Sequence, residues 1–185
     1  MENEAALDGK TIQEDAAAGG DRAERAFRAL FARFYRRMVV YAATFAAVPP
    51  AEREDLAQDI IIRAFSKLDR YDSRRPLSSW MYGVARNRIV DFLRSRKIVL
   101  VSANEETLFA PGSFELLAEQ KDQLESIYRA IQSMNETDRR IAMLVFYEEL
   151  SPSDAAAALG MPAGTLRWRL MKIRKSLRVF RGEDA

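Results

Sequence analysis

One stretch near the C-terminus restricts the possible fold more than any other. Residues 151–178 open with Ser-Pro-Ser-Asp and four alanines, pass through Leu-Gly-Met-Pro, and continue as a basic helix-forming run. Ser151 is a suitable N-cap, Pro152 suits the first helical position, and Asp154 stands where a capping box wants an acid. Gly160 suits the left-handed conformation that ends a helix, and Pro162 blocks continuation. The next segment sets Leu166, Leu170, Ile173 and Leu177 on one stripe at helical spacing. Trp168, Met171, Lys172 and Lys175 face the other way, with Arg167, Arg169, Arg174 and Arg178 on the flanks. Residues 163–181 carry seven basic side chains and no acid. Two short helices across a tight turn, the second one basic, predict a helix-turn-helix whose second helix fits a DNA major groove. The plainer reading is a solvated basic helix on an ordinary bundle. The cap, the turn and the one-sided charge together weigh against it.

A chain of 185 residues holds one medium domain or two small ones, and an apolar content of 48% supplies a core. Only six prolines and eight glycines favour helices over sheets. The chain has no cysteine and no histidine, which removes disulfides, thiolate metal sites, the commonest metal ligand and the usual general base. The expectation is a protein without enzymatic activity and without cofactor or metal. An enzyme with a nucleic-acid-binding tail would have few tools here, since a glycine-rich phosphate loop is also missing.

The net charge of +2 conceals a strong pattern. Residues 63–97 hold ten Lys/Arg against three Asp, whereas residues 98–128 hold six acids against one Lys. Two basic segments separated by an acidic one suggest two nucleic-acid contacts joined by a linker. The acidic N-terminus lacks the apolar core of a secretory signal. The longest uncharged apolar run, residues 38–51, is too short for a bilayer and closes on two prolines. A soluble, cytoplasmic protein without membrane insertion is expected.

The periodicity divides the chain. Residues 1–20 are rich in Ala, Gly and acids, lack a period, and read as a mobile tail. Helical patterns begin at Asp21, where Phe27, Leu30, Phe31, Phe34, Tyr35 and Met38 recur at threes and fours until Pro49-Pro50. A second helix is predicted over about residues 52–68 on Leu56, Ile60, Ala64 and Leu68. A polar turn over residues 70–76 leads to a third, over 77–96, with Leu77, Trp80, Met81, Val84 and Phe92 inward. Residues 98–117 break the pattern at Pro111-Gly-Ser and form the predicted acidic linker. Periodicity resumes through Leu116, Ile127, Ile131 and Met134, and residues 135–138 mark a boundary before a buried helix over 141–147. The predicted fold is all-α: a tail (1–20), a helical domain (21–97), the linker (98–117), and a second helical domain (118–181) that ends in the helix-turn-helix.

Two sets of residues carry a resemblance. The segment Arg53-Glu-Asp-Leu-Ala-Gln-Asp-Ile-Ile-Ile-Arg-Ala-Phe65 resembles the core-binding helix in region two of bacterial sigma-70-type factors. The segment over residues 71–96, with Trp80, Ala85-Arg-Asn87 and Asp91 at their spacing, resembles the short extracytoplasmic-function group of that family. Gly164-Thr-Leu-Arg-Trp-Arg-Leu170 resembles the same group's region four, where Gly-Thr-Val-Lys-Ser-Arg-Leu is typical. The resemblance covers roughly residues 25–181 and implies a factor with regions two and four only. It implies two small helical domains on a flexible linker, binding of RNA polymerase core, direction of the enzyme to promoter DNA, an anti-sigma factor as partner, and no catalytic residues.

The resemblance also distributes roles. Glu54, Asp55, Leu56, Gln58 and Asp59 would dock on the clamp helices of the polymerase, acids and an amide against a basic coiled coil. Tyr71, Ser73, Arg74 and Arg75 would meet the minus-ten element, with Tyr82, Arg86, Asn87 and Arg94 beside them, because opened DNA needs a base pocket and aromatic surfaces. Trp80 falls on the apolar stripe and suits packing, and Arg88 lies beside that stripe. Thr165, Arg167, Trp168, Arg169, Lys172 and Lys175 would face the minus-35 element. There Lys172 is expected on phosphate, and Trp168 and Arg169 on bases. Trp168 departs from the usual small Ser, which leaves open stacking on DNA, docking on a regulator, or packing within its own domain. The competing reading of the whole chain is a helix-turn-helix regulator that acts without polymerase, with residues 20–97 as a dimerisation or effector domain.

Overall fold

The computed structural model describes residues 8–96 and 133–181, and every regular element among them is helical. The segment expected as a tail differs from that reading. Residues Gly9–Ala18 form a helix, α1, capped by the Asp8 carboxylate, which accepts from the Thr11 N–H at 2.7 Å. One large apolar side chain, Ile12, is 1% exposed and anchors it. The buried Asp15 carboxylate accepts from Arg22 and Arg25 of the next helix. The Arg22 hydrogen bond holds that carboxyl below the usual carboxylate range. A single apolar anchor with ion pairs produces no hydrophobic period, which is why a reading based on periodicity misses it.

Gly19 and Gly20, both at positive φ, reverse the chain into α2, Gly20–Ala43. Glycine occupies this region without the steric cost a Cβ brings. Leu30, Phe34 and Met38 of α2 are fully buried, while Phe27, Phe31 and Tyr35 line its shoulder. The proline pair opens a 3-10 turn, Pro50–Glu52, that leads into α3, Arg53–Phe65. Helix α3 buries Leu56, Ala57, Ile60, Ile61 and Ala64. A second 3-10 turn, Leu68–Arg70, and a polar turn precede α4, Leu77–Ser95. Enclosing a Leu or Ile side chain stabilises by roughly 1.5–3 kcal/mol, so the stripes of α2, α3 and α4 account for their assembly.

In the second unit the Asn135 side chain accepts from the Asp138 N–H at 3.0 Å and caps α5, Glu136–Ala142. The chain continues as a π turn, Met143–Tyr147. Burial here ends at Leu144: Phe146 and Tyr147 are exposed, where a wholly buried helix over 141–147 is expected. Helix α6, Pro152–Leu159, starts at Ser151, whose hydroxyl accepts from the Asp154 N–H and donates back to the Asp154 carboxylate. It ends at Gly160 (φ 61°, ψ 38°), where the Met161 N–H reaches the Ala156 carbonyl. That is the left-handed closure expected of the turn. Helix α7, Ala163–Arg181, completes the helix-turn-helix and buries Leu166, Leu170 and Ile173. The predicted linker over 98–117, the resumed periodicity at Leu116, Ile127 and Ile131, and residues 1–7 lie outside the described residues.

The described parts of the two units pack together. Their apolar residues form one buried cluster. Helix α6 lies on α4, and its small buried side chains, Ala155, Ala156 and Ala158, keep the helices close. Ser79 of α4 donates to the Asp154 carbonyl at 3.0 Å, and the Ala46 N–H donates to Glu136 at 2.8 Å. The Arg140 guanidinium sits 4.0 Å over the Phe45 ring. Arg37 of α2 pairs at 2.7 Å with Glu148, whose side chain is completely enclosed. Tyr41 and Tyr82 meet edge to face at 4.9 Å in the same region. Burial pushes the Tyr41 hydroxyl up to about 12, and burial, with the Glu148 carboxylate adding to it, raises that of Tyr82.

Candidate interfaces for protein and nucleic acid

Three surfaces carry the residues of interest. The first is the outer face of α3. Glu54, Asp55 and Gln58 are exposed along it. Leu56 is not: at 3% exposure it belongs to the core, because it lies on the Leu56–Ile60–Ala64 stripe. Asp59 is committed elsewhere, to Arg63 on its own helix and to Arg88 of α4. Burial raises its pKa, but the hydrogen bonds from Arg88 and Arg63 prevail and hold it below the usual carboxylate range. Ile62, at 56% exposure, is the residue that sequence reasoning overlooked. It stands four positions after Gln58 and seven after Asp55, so a helical wheel places it on the acidic face. An exposed isoleucine ringed by polar groups is the arrangement of an apolar anchor within a polar rim.

The second surface joins the 70–76 turn to the outer side of α4. Ser73, Arg74 and Arg75 are exposed. Asp72 organises the turn, accepting from the Arg74 backbone at 3.1 Å and from its guanidinium at 2.9 Å twice. The Arg74 contact lowers the Asp72 pKa. Tyr71 points inward instead: it is 6% exposed, its ring lies 5.5 Å from that of half-buried Trp80, and its hydroxyl donates to the Arg75 carbonyl at 2.7 Å. Tyr82 is fully enclosed between the units. Neither tyrosine presents a stacking face in this arrangement, because both rings fill apolar space. Asn87 and Arg94 are exposed, and Arg86 is half-buried.

A cleft of roughly 360 Å³ runs along this surface, lined by Arg70, Arg75, Trp80, Gly83 and Asn87 from one unit and by Ala157 and Ala158 of α6 from the other. Arg75 reaches Asp154 at 3.5 Å, and a side chain at Gly160 would stand 3.1 Å from the Arg86 guanidinium. The two basic residues thus meet opposite ends of α6: Arg75 an acid in its first turn, Arg86 its C-terminal cap, where a cation complements the helix dipole.

The third surface is α7. Thr165, Arg167, Trp168, Lys172 and Lys175 all face solvent. Trp168 is 52% exposed, and the Lys172 ammonium lies 3.9 Å over its ring. Packing within its own domain is therefore not its role here. Arg169 is engaged, bound at 2.8 Å to Asp138 of α5, which braces α7 against that helix. Among the described residues, no group of His, Cys, Asp and Glu could hold a metal ion, and no helix is long and apolar enough to cross a membrane.

Comparison with known proteins matches two segments of the chain. Residues 30–98 match Sigma-70 region 2, and residues 124–177 match Sigma-70, region 4. The ECF RNA polymerase sigma factor SigW of Bacillus subtilis is 29% identical over 138 residues, covering 69% of this chain and 74% of SigW. The RNA polymerase sigma factor CnrH of Cupriavidus metallidurans is 24% identical over 180 residues, covering 91% and 92%. The fold resembles CnrH in complex with the cytosolic domain of CnrY, with a TM-score of 0.58 at 22% identity, over 94% of this chain and 97% of that one. It also resembles the sigma factor RpoE of Bartonella quintana in complex with the anti-sigma factor NepR, with a TM-score of 0.59 at 20% identity, over 86% and 98%.

Proposed function

Because the chain belongs to the sigma-70 family, in its extracytoplasmic-function group, we propose that it joins RNA polymerase core and directs it to promoters. One observation carries the reading: region 2 and region 4 occur in order in a single chain. The acidic face of α3 with Ile62 is assigned to core, the 70–76 turn with Arg86, Asn87 and Arg94 to the minus-10 element, and α7 to the minus-35 element. A regulator acting without polymerase would have no use for the α3 face. Sigma factors are not enzymes, and the work assigned to this chain is binding, at the chromosome, in the cytoplasm. A protein inhibitor of the anti-sigma class is the natural partner, since the two structural relatives are held by CnrY and NepR.

The packing of α6 on α4 adds a condition. The α6 helix covers part of the surface assigned to the minus-10 element, so engagement of that surface requires α6 to leave it. The direct test is run-off transcription with purified core and genomic fragments. Specific initiation that depends on the protein is expected. Its failure on every fragment across a range of salt would remove the proposal.

Within α7, two kinds of contact are expected to separate. Lys172→Ala should weaken binding to all sequences alike and flatten the salt dependence by about one counterion. Trp168→Ser should change the preferred minus-35 sequence, a base contact being worth roughly 1–3 kcal/mol of discrimination. Selection from randomised DNA reads both. Identical motifs for wild type and Trp168→Ser would reassign the tryptophan to a protein partner.

A further inference from the structure

Two hydrogen bonds tie α1 to the turn that leads into residues 70–76. Gln13 lies outside the segment that matches region 2, yet its side-chain amide donates to the Leu68 carbonyl at 2.7 Å and to the Tyr71 carbonyl at 2.8 Å. Both partners are acceptors, so the amide nitrogen must face them. A few residues away, Gly9 makes room for Tyr71: a Cβ there would stand 2.5 Å from the Tyr71 hydroxyl. That hydroxyl donates to the Arg75 carbonyl. Residues 72–76 are all exposed and have no apolar anchor of their own. Asp72 braces the turn from within and Arg75 reaches Asp154; Tyr71, held on one side by α1 and on the other by Trp80, ties the turn to the helices of the first unit.

We propose that α1 is a positioning element for promoter opening, with Gln13 and Gly9 fixing Tyr71 and Tyr71 fixing the backbone at Arg75. The inference rests on the assignment of residues 70–76 to minus-10 DNA. Gln13 touches no DNA; it acts through the turn. Capping by Asp8, the burial of Ile12 and the Asp15 ion pairs keep α1 in place while Gln13 reaches across.

The test uses the full chain and the holoenzyme it forms. Gln13→Met keeps length and helix preference but removes the donor, and Gln13→Glu turns a second acceptor toward the two carbonyls. Arg75→Ala tests the turn itself. Three quantities are read: amide exchange at residues 71–75, affinity for core, and permanganate reactivity of minus-10 thymines in the open complex. Losing two hydrogen bonds should speed exchange at 71–75 and lower promoter opening by about 3- to 30-fold, more in Gln13→Glu. Core affinity should not change, because the open face of α3 is untouched.

Exchange within about twofold of wild type in both Gln13 variants would overturn the proposal, since a lost hydrogen bond is worth more than that. So would a loss of opening matched by a parallel loss of core affinity, which would mark α1 as general scaffold. Faster exchange with normal opening in Gln13→Met, but impaired opening in Arg75→Ala, overturns the positioning role alone. Normal opening in both variants instead removes the minus-10 assignment of the turn.

Discussion

Asp55→Arg combined with Ile62→Asp is expected to lower affinity for RNA polymerase core by about 100- to 1,000-fold, because charge reversal at a complementary interface and loss of a central apolar anchor together cost roughly 3–4 kcal/mol. Both side chains are exposed on α3, and neither makes a hydrogen bond or ion pair among the described residues. Substitutions at such positions usually change stability by about 0.5 kcal/mol or less, so thermal unfolding should be nearly unaltered and DNA binding by α7 preserved. Asp59 would be a poor choice for the same experiment. Its carboxylate joins α3 to α4 through Arg88, and an arginine there would oppose Arg63 and Arg88 and disturb the fold along with the interface. Competition binding against labelled core decides the matter. Unchanged affinity in the double variant would remove this face from the polymerase contact.

The second large effect concerns the junction of the two units. Arg37 forms the direct ion pair with the enclosed Glu148 carboxylate, and Arg33 adds a weaker attraction to it. Removing one member of a buried pair costs about 3–5 kcal/mol, and because Arg37 is itself one-third exposed, screening moves the expectation to the low end of that range or below. Arg37→Ala can avoid that cost by letting Glu148 return to water, which requires the 133–181 segment to leave α2 and α4. A larger radius of gyration in solution scattering is expected, together with tighter binding of single-stranded minus-10 DNA as α6 uncovers Arg75 and Arg86. The helices within each unit should persist, since they also pack against one another within their own unit. A radius and a DNA affinity equal to those of wild type would show that the junction does not depend on this pair.

Much of the fold is readable from side-chain order alone. The 3.6-residue period of α2, α3, α4 and α7 names their buried faces correctly at Leu30, Phe34, Ile60, Met81 and Leu170, because a helix with a continuous apolar stripe has only one way to bury it. The turn of the helix-turn-helix is equally local: a cap at Ser151, a left-handed glycine at 160 and a blocking proline at 162 decide it without help from elsewhere. The surface of α7 follows from the same periodicity, so Arg167, Trp168, Lys172 and Lys175 face outward as the wheel predicts.

What tertiary structure alone decided concerns partners distant in the chain. Ordering of α1 depends on one buried isoleucine and on contacts with α2 and the 68–71 turn, none of which a local period records. Enclosure of Tyr71 and Tyr82 depends on what packs above them, since a tyrosine on a helix carries the same letter whether its ring meets a base or a neighbouring helix. Arg169 and Asp59 look like free charges in sequence and are consumed by Asp138 and Arg88, 31 and 29 residues away. Charge and period establish which face a residue occupies. Whether that face stays open is fixed by long-range packing, where burial of apolar area and pairing of enclosed charge bring segments together that the chain keeps far apart.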